Sequence, residues 1–272
     1  MANRGRAFLA SVAIGMLVVG HLVLTSVLHS FLFHPRRDEG PEIARIGERV
    51  RYVADDGVAL AAWFVPSRTP RRRTLVFFHG NAEVAADAWS WADVLADHGT
   101  DVLLAEYRGY GASEGSPSAR GVERDAEAAV RYLLDERHVA PSELVVQGHS
   151  LGGAAAIAAL AGPAHEAAGG VIESTFTSLH DMASAIVGLP LTRLLPDAYA
   201  LDSAARAPSV RVPILHLHGD RDEVIPFAMG ERLGALFPSE RFVRVHGGTH
   251  NLGQAIVTEE IFAFLESVTP ER

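Results

Sequence analysis

The sequence predicts an α/β domain built on a largely parallel sheet, set behind one membrane-spanning helix. Three observations predict it. From Thr74 onward, short apolar runs alternate with alanine-rich helical stretches, the pattern of strands buried on both faces by crossover helices. Positions 7–33 contain no charged residue. The 272-residue chain is 48% hydrophobic and 21% charged, apolar enough to bury one sizeable core and too apolar for disorder.

Taken in order, the uncharged run 7–33 would make a helix of about 40 Å, longer than the roughly 30 Å hydrocarbon core requires. A cleaved signal peptide is the alternative, but its apolar region would span about 7–15 residues and end at small ones. Here the run continues through Val27, Leu28, Phe31 and Phe33, so an uncleaved single-pass anchor is favoured. Arg4 and Arg6 precede it while Arg36 and Arg37 follow, so the positive-inside rule does not assign the side of the membrane. Residues 34–48, with Pro35 and Pro41, read as a linker, and residues 49–272 as the folded domain.

Strands at 49–54 and 58–65 flank Asp55-Asp56-Gly57, a tight hairpin turn. Six further strands are expected at 74–78, 102–105, 144–147, 170–172, 214–217 and 242–245. Helices are expected at 85–97, 119–136, 152–161, 227–236 and 254–267. The insert 174–208 carries Met182, Ile186, Leu189 and Leu194, and reads equally as a small apolar helical cap and as a helix packed on the domain. Arg71-Arg72-Arg73 reads as a solvated loop before a strand, with contact to anionic lipid the lesser reading.

Composition excludes several chemistries. Acids outnumber bases 33 to 24 for a net charge of -9, so nucleic acid is not an expected partner. Every base is arginine, which removes Schiff-base lysines, phosphate-loop lysines and serine-lysine dyads. The absence of cysteine removes disulfides, thiol catalysis and cysteine-ligated metals, and leaves the redox compartment open.

Gly148-His149-Ser150-Leu151-Gly152 falls directly between an expected strand and an expected helix, the setting of a nucleophile elbow. A strained turn there pushes the Ser150 hydroxyl outward, and the flanking glycines let backbone segments pack closely. A serine hydroxyl needs a histidine to take its proton and an acid to hold that histidine's tautomer. The chain order Ser, Asp, His supplies both from loops after strands, where an open parallel sheet places its site. Asp222 is favoured over Asp220, which organises the turn, and over Glu223. His250, in a glycine-flanked loop, is favoured over His246. His149 shapes the elbow and His79 orients a loop. His216 and His218 could be imagined as a metal pair but lack acidic ligands at matching spacing, so they read as structural. The backbone N–H groups of Asn81 and Leu151 are the expected oxyanion donors. The Tyr107–Gly115 stretch reads as a structural turn with Arg108 ion-paired, since no nucleotide-loop helix start follows it.

Phe78-His79-Gly80-Asn81-Ala82, the stretch from Glu106-Tyr107-Arg108-Gly109-Tyr110-Gly111 to Gly115, the elbow, Asp222-Glu223-Val224-Ile225-Pro226 and His250-Asn251 together resemble the α/β-hydrolase superfamily. They are most similar to its membrane-anchored bud-emergence-type and depalmitoylase-like branch. The likeness runs from about Val50 to about Leu265. It implies Ser150 as nucleophile, Asp222 as orienting acid and His250 as base, in agreement with the reading from residues. Glu106 stands where such sequences usually carry Asp.

The expected activity is cleavage of ester or thioester bonds in a small acyl or lipid substrate through a covalent acyl-enzyme, with no cofactor and no metal. Same-fold chemistry such as perhydrolysis or carbon-carbon hydrolysis is an alternative, as is a membrane-tethered binding module without turnover. The expected location is the membrane, through the N-terminal helix.

Overall fold

The computed structural model describes Gly15 and residues 33–38, 40–187 and 201–269. The chain divides into two compact units, Met1–His34 and Pro35–Arg272. The span expected over 7–33 lies outside the described residues apart from Gly15 and Phe33; among the described residues no helix is long and apolar enough to cross a membrane.

In the second unit, eight strands form one sheet: β1 Glu48–Val53, β2 Ala59–Val65, β3 Arg73–Phe78, β4 Thr100–Ala105, β5 Leu144–His149, β6 Gly169–Glu173, β7 Ile214–Gly219 and β8 Glu240–Val245. Their order is β1-β2-β4-β3-β5-β6-β7-β8. β1 pairs antiparallel with β2, and β2 antiparallel with β4; every other neighbouring pair is parallel. All eight expected strands are present. β5 and β7 run two residues further than their apolar stretches, through Gly148-His149 and His218-Gly219, because ladder pairing continues into the residues that carry the site.

Among the described residues of this unit, seven α-helices follow in chain order: α1 Trp89–Asp97, α2 Ala119–Arg131, α3 Leu151–Leu160, α4 Leu179–Val187, α5 Ser203–Arg206, α6 Phe227–Gly234 and α7 Gln254–Val268. The expected helix 85–97 begins as a 3-10 turn, and 119–136 ends in a wider π turn from Tyr132. α3 is buried along its whole length, being alanine-rich and enclosed on all sides. That fixes the N-terminus of α3 against the C-terminal ends of β3 and β5.

Within the expected linker, Ile43 is fully buried, and the Arg36 carbonyl accepts from Gly111 N–H at 2.8 Å. The hairpin turn forms with Gly57 at φ 86°, and its Asp56 accepts from Arg108 at 2.8 Å. Arg108 also grips the buried Asp125 at 2.8 Å, so it is ion-paired twice. Arg71 and Arg72 lie in a loop before β3, as expected of the basic triplet, but Arg73 corrects that reading: it opens β3, is 1% exposed and donates to Glu266 of α7 at 2.7 Å. Arg72 joins it on Glu266, and Arg71 pairs with Glu143. Of the insert 174–208, the described part is tied to α6, where Arg232 donates to Asp181 and to Thr177.

Candidate active site

Ser150 links β5 to α3 with φ 56° and ψ -117°, a conformation strained for any residue with a side chain. Such a backbone costs about 1–3 kcal/mol and persists only where its surroundings over-determine it. Here they do. Ser150 N–H donates to the Glu173 carbonyl at 2.8 Å, and the Ser150 carbonyl accepts from Thr175 Oγ1 at 2.7 Å and from Gly153 N–H at 3.0 Å. The flanking glycines are required by contact: a Cβ on Gly148 would lie 2.0 Å from the Gly152 oxygen, and one on Gly152 would lie 1.9 Å from the Phe78 oxygen. Both obstacles are backbone, so neither can swing aside.

The hydroxyl thus presented lies 3.0 Å from His250 Nε2. On the other side of that imidazole, Nδ1 donates to Asp222 Oδ2 at 2.9 Å and approaches Oδ1 at 3.1 Å. The three side chains come from the ends of β5, β7 and β8, and sequence separations of 28 and 100 residues collapse into one chain of hydrogen bonds. A proton on Nδ1, held by the carboxylate, leaves the Nε2 lone pair facing the hydroxyl.

Asp222 is buried and multiply held. Its Oδ1 accepts from the N–H groups of Val224 and Ile225, each at 2.8 Å, and His218 Nε2 stands 3.3 Å from Oδ2. Burial works to raise its carboxyl; the hydrogen bonds from His218, His250 and Ile225 N–H prevail and hold it well below the usual carboxylate range. His218 also donates to the Ile225 carbonyl at 3.1 Å, while its Nδ1 is buried without a partner.

The alternatives weighed in the sequence have other positions. Asp220 accepts from Gly247 N–H at 2.7 Å and from His246 and Arg244 at 3.1 Å, binding the β7 and β8 loops together. His246 is largely exposed, and Glu223 meets His250 only through its backbone N–H at 3.4 Å. His149 donates from Nε2 to the His250 carbonyl at 3.2 Å, its ring centroid 5.0 Å from that of His250. His216 pairs with Glu240 at 2.9 Å. Among the described residues, no group of three or more His, Asp or Glu side chains is arranged to hold a metal ion.

Asn81 and Leu151 occupy the C-terminal ends of two neighbouring strands, β3 and β5, whose last registered pair is Phe78 with Gly148. Leu151 is the first residue of α3, at the positive end of the helix dipole. Asn81 Oδ1 accepts from Tyr110 at 2.8 Å and from Ala82 N–H at 3.1 Å. Behind it lies a buried cluster that sequence reasoning missed. Glu106, 1% exposed, accepts from His79 Nε2 at 3.2 Å and from Ala85 N–H at 2.8 Å, and Tyr107 donates to the His79 carbonyl at 2.8 Å. Burial works to lower the His79 ring, but its hydrogen bond to the Glu106 carboxylate prevails and raises it. Glu in place of Asp therefore makes two contacts of its own to the loop after β3. Thr175 and Glu173 were missed as well; a charged residue ending the otherwise apolar run 170–172 was their one signal.

A family model described as serine aminopeptidase, S33, matches residues 69–203. Protein YfhR of Salmonella typhi is 31% identical over 230 residues, covering 79% of this chain and 78% of that one. Protein bem46 of Schizosaccharomyces pombe is 31% identical over 230 residues, covering 80% and 77%. Among solved structures, the Pyrococcus furiosus esterase Pf2001 superposes with a TM-score of 0.69 at 20% identity, over 88% of this chain and 99% of that one. That likeness concerns the fold; the sequence relatives, matched over more than three quarters of both chains, carry the assignment, and the protein belongs to the α/β-hydrolase superfamily, as an enzyme of the branch that includes bem46.

Proposed function

We propose that the protein is a serine hydrolase that cleaves ester or thioester bonds of acyl or lipid substrates. Ser150 Oγ attacks the carbonyl carbon while His250 Nε2 takes its proton, and Asp222 steadies the imidazolium that forms. The negative charge developing on the carbonyl oxygen is met by the N–H groups of Asn81 and Leu151, each donor contributing about 3 kcal/mol of transition-state stabilisation. Collapse expels the alcohol or thiol, which leaves with the proton held by His250. Water then gives a proton to His250 and attacks the acyl-enzyme, releasing the acid and returning the proton to Ser150. The reading rests on one observation, the continuous path from Ser150 Oγ to His250 Nε2 at 3.0 Å and from His250 Nδ1 to Asp222 at 2.9 Å. Esterases among proteins of the same fold favour small esters as the first substrates to try.

A fluorophosphonate probe tests it. Wild-type protein is expected to label covalently and Ser150→Ala to remain unlabelled; an unlabelled wild type, or equal labelling of both, refutes the reading. We further propose that the uncharged run 7–33 anchors the enzyme in a membrane, supported by its length and lack of charge. Alkaline carbonate extraction of cell membranes tests that: release of the full chain into the supernatant refutes it.

A further inference from the structure

Beside the triad, on the sheet face covered by α1 and α7, lies a cavity of about 490 Å³. It touches the site through His149 and Asn251, the chain neighbours of Ser150 and His250. Its size falls in the range of small-ligand pockets. Phe77, Trp91, Val257 and Ile261 give it an apolar wall, and Glu83 and Glu173 give it carboxylates.

Glu173 is the unusual member. Its residue is 8% exposed, and its carboxylate accepts from Gln147 Nε2 at 2.7 Å. Gln147 in turn is fixed by Trp91 Nε1, which donates to its Oε1 at 3.0 Å. A buried carboxylate is ordinarily matched by a cation. Among the described residues no arginine forms an ion pair with Glu173, and the chain has no lysine. The other carboxylates on the wall are already engaged. Asp87 pairs with Arg36 at 2.7 Å, and Glu83 accepts from Gly80 N–H at 2.8 Å and stands 3.7 Å from His149. Burial raises the Glu173 carboxyl, with His149 and the Gln147 amide working against that rise. The cavity therefore offers an oriented, buried acid with no arginine or lysine partner at the end of a hydrocarbon wall, on the residue whose carbonyl accepts from Ser150 N–H.

We infer that this cavity binds a protonated amine carried on a short apolar stem, with Glu173 as its counter-ion. The amine could enter as the charged end of the acyl group, so that aminoacyl esters are a preferred substrate class, or as a free ligand. The first form rests on the serine-hydrolase reading; the second does not.

The test compares two p-nitrophenyl esters of equal shape, 6-aminohexanoate and heptanoate, on full-length wild-type protein. The kcat/KM ratio is expected to favour the ammonium ester by about tenfold or more, the effect of one charge-assisted hydrogen bond. In Glu173→Gln the ratio is expected to fall to about one, whatever happens to the absolute rates. Val257→Trp, which fills the cavity from α7, provides a second variant should Glu173→Gln fail to fold, and it too is expected to abolish the preference. Calorimetric titration of hexylammonium into fluorophosphonate-blocked protein reads the free-ligand form. Binding that is lost in Glu173→Gln, without an ester preference, assigns the cavity to a free amine. A wild-type ratio at or below one together with no hexylammonium binding overturns the inference, and if Ser150 still labels, the hydrolase reading survives that result. If wild type does not label, the titration on unblocked protein decides the cavity alone.

Discussion

Replacing His218 by Phe separates an electrostatic role from a packing one. His218 Nε2 faces two acceptors, the Ile225 carbonyl at 3.1 Å and Asp222 Oδ2 at 3.3 Å, so Nε2 carries a proton. Nδ1 rests against Gly230, where a Cβ would lie 2.3 Å away, and has no partner. Phenylalanine keeps the ring, deletes the donor and removes the orphaned nitrogen. A hydrogen bond to a charged acceptor contributes about 1.5–3 kcal/mol, which corresponds to a rise of about one to two units in the Asp222 pKa. In the folded wild type that pKa lies below the unfolded value of about 3.9. Its stabilisation is therefore complete above the unfolded value and is lost as pH falls through the folded one. The variant should be less stable than wild type by about 1.5–3 kcal/mol at pH 7; the gap should hold until pH falls to the folded pKa of the variant and then close as pH falls further toward the lower folded pKa of wild type. Urea unfolding at a series of pH values, followed by the fluorescence of Trp63, Trp89 and Trp91, measures it. A gap that stays constant with pH would mean that only packing was lost, and no gap at all would mean that His218 does not stabilise the carboxylate; either result refutes the reasoning. Because Asp222 remains ionised at pH 7 in both proteins, ester hydrolysis should fall by no more than about tenfold.

Asp222→Asn should be far more severe, lowering kcat by on the order of 10⁴, the size of effect seen when a triad carboxylate is made an amide and the histidine tautomer is lost. Asp220→Asn should keep hydrolysis within about tenfold of wild type, since Asp220 joins loops and does not touch the imidazole; equal losses in the two variants would show that the wrong acid has been assigned. Arg108→Met should strand the buried Asp125, whose partner it is at 2.8 Å, at about 3–5 kcal/mol, lowering the thermal midpoint by on the order of 10 °C. Differential scanning fluorimetry reads this, and an unchanged midpoint would show that the ion pair is dispensable.

What could be read in advance divides along a physical line. The elbow was legible because its constraint is local: the backbone of Gly152 touches Phe78, and that of Gly148 touches Gly152, so only glycine fits on either side of the serine. The convergence of Asp222 and His250 on Ser150 was legible because a parallel sheet gathers its post-strand loops at one edge, wherever in the chain those loops begin. Strand positions were legible from apolar runs, and their ends were underestimated where polar site residues continue the ladder. The supporting groups depend instead on which strands become neighbours. Glu106 reaches His79 only because β4 lies beside β3, and Glu173 holds Ser150 only because β6 lies beside β5. Arg73 looked like one of three solvated cations because the pairing of β3 with both neighbours, and the packing of α7 against it through Glu266, cannot be seen in a triplet of arginines. The partners of such residues lie up to 193 positions away, so only the sheet order could reveal them. The cavity proposed to bind an amine belongs to the same class, because its wall draws on β3, β5, β6, α1 and α7 at once.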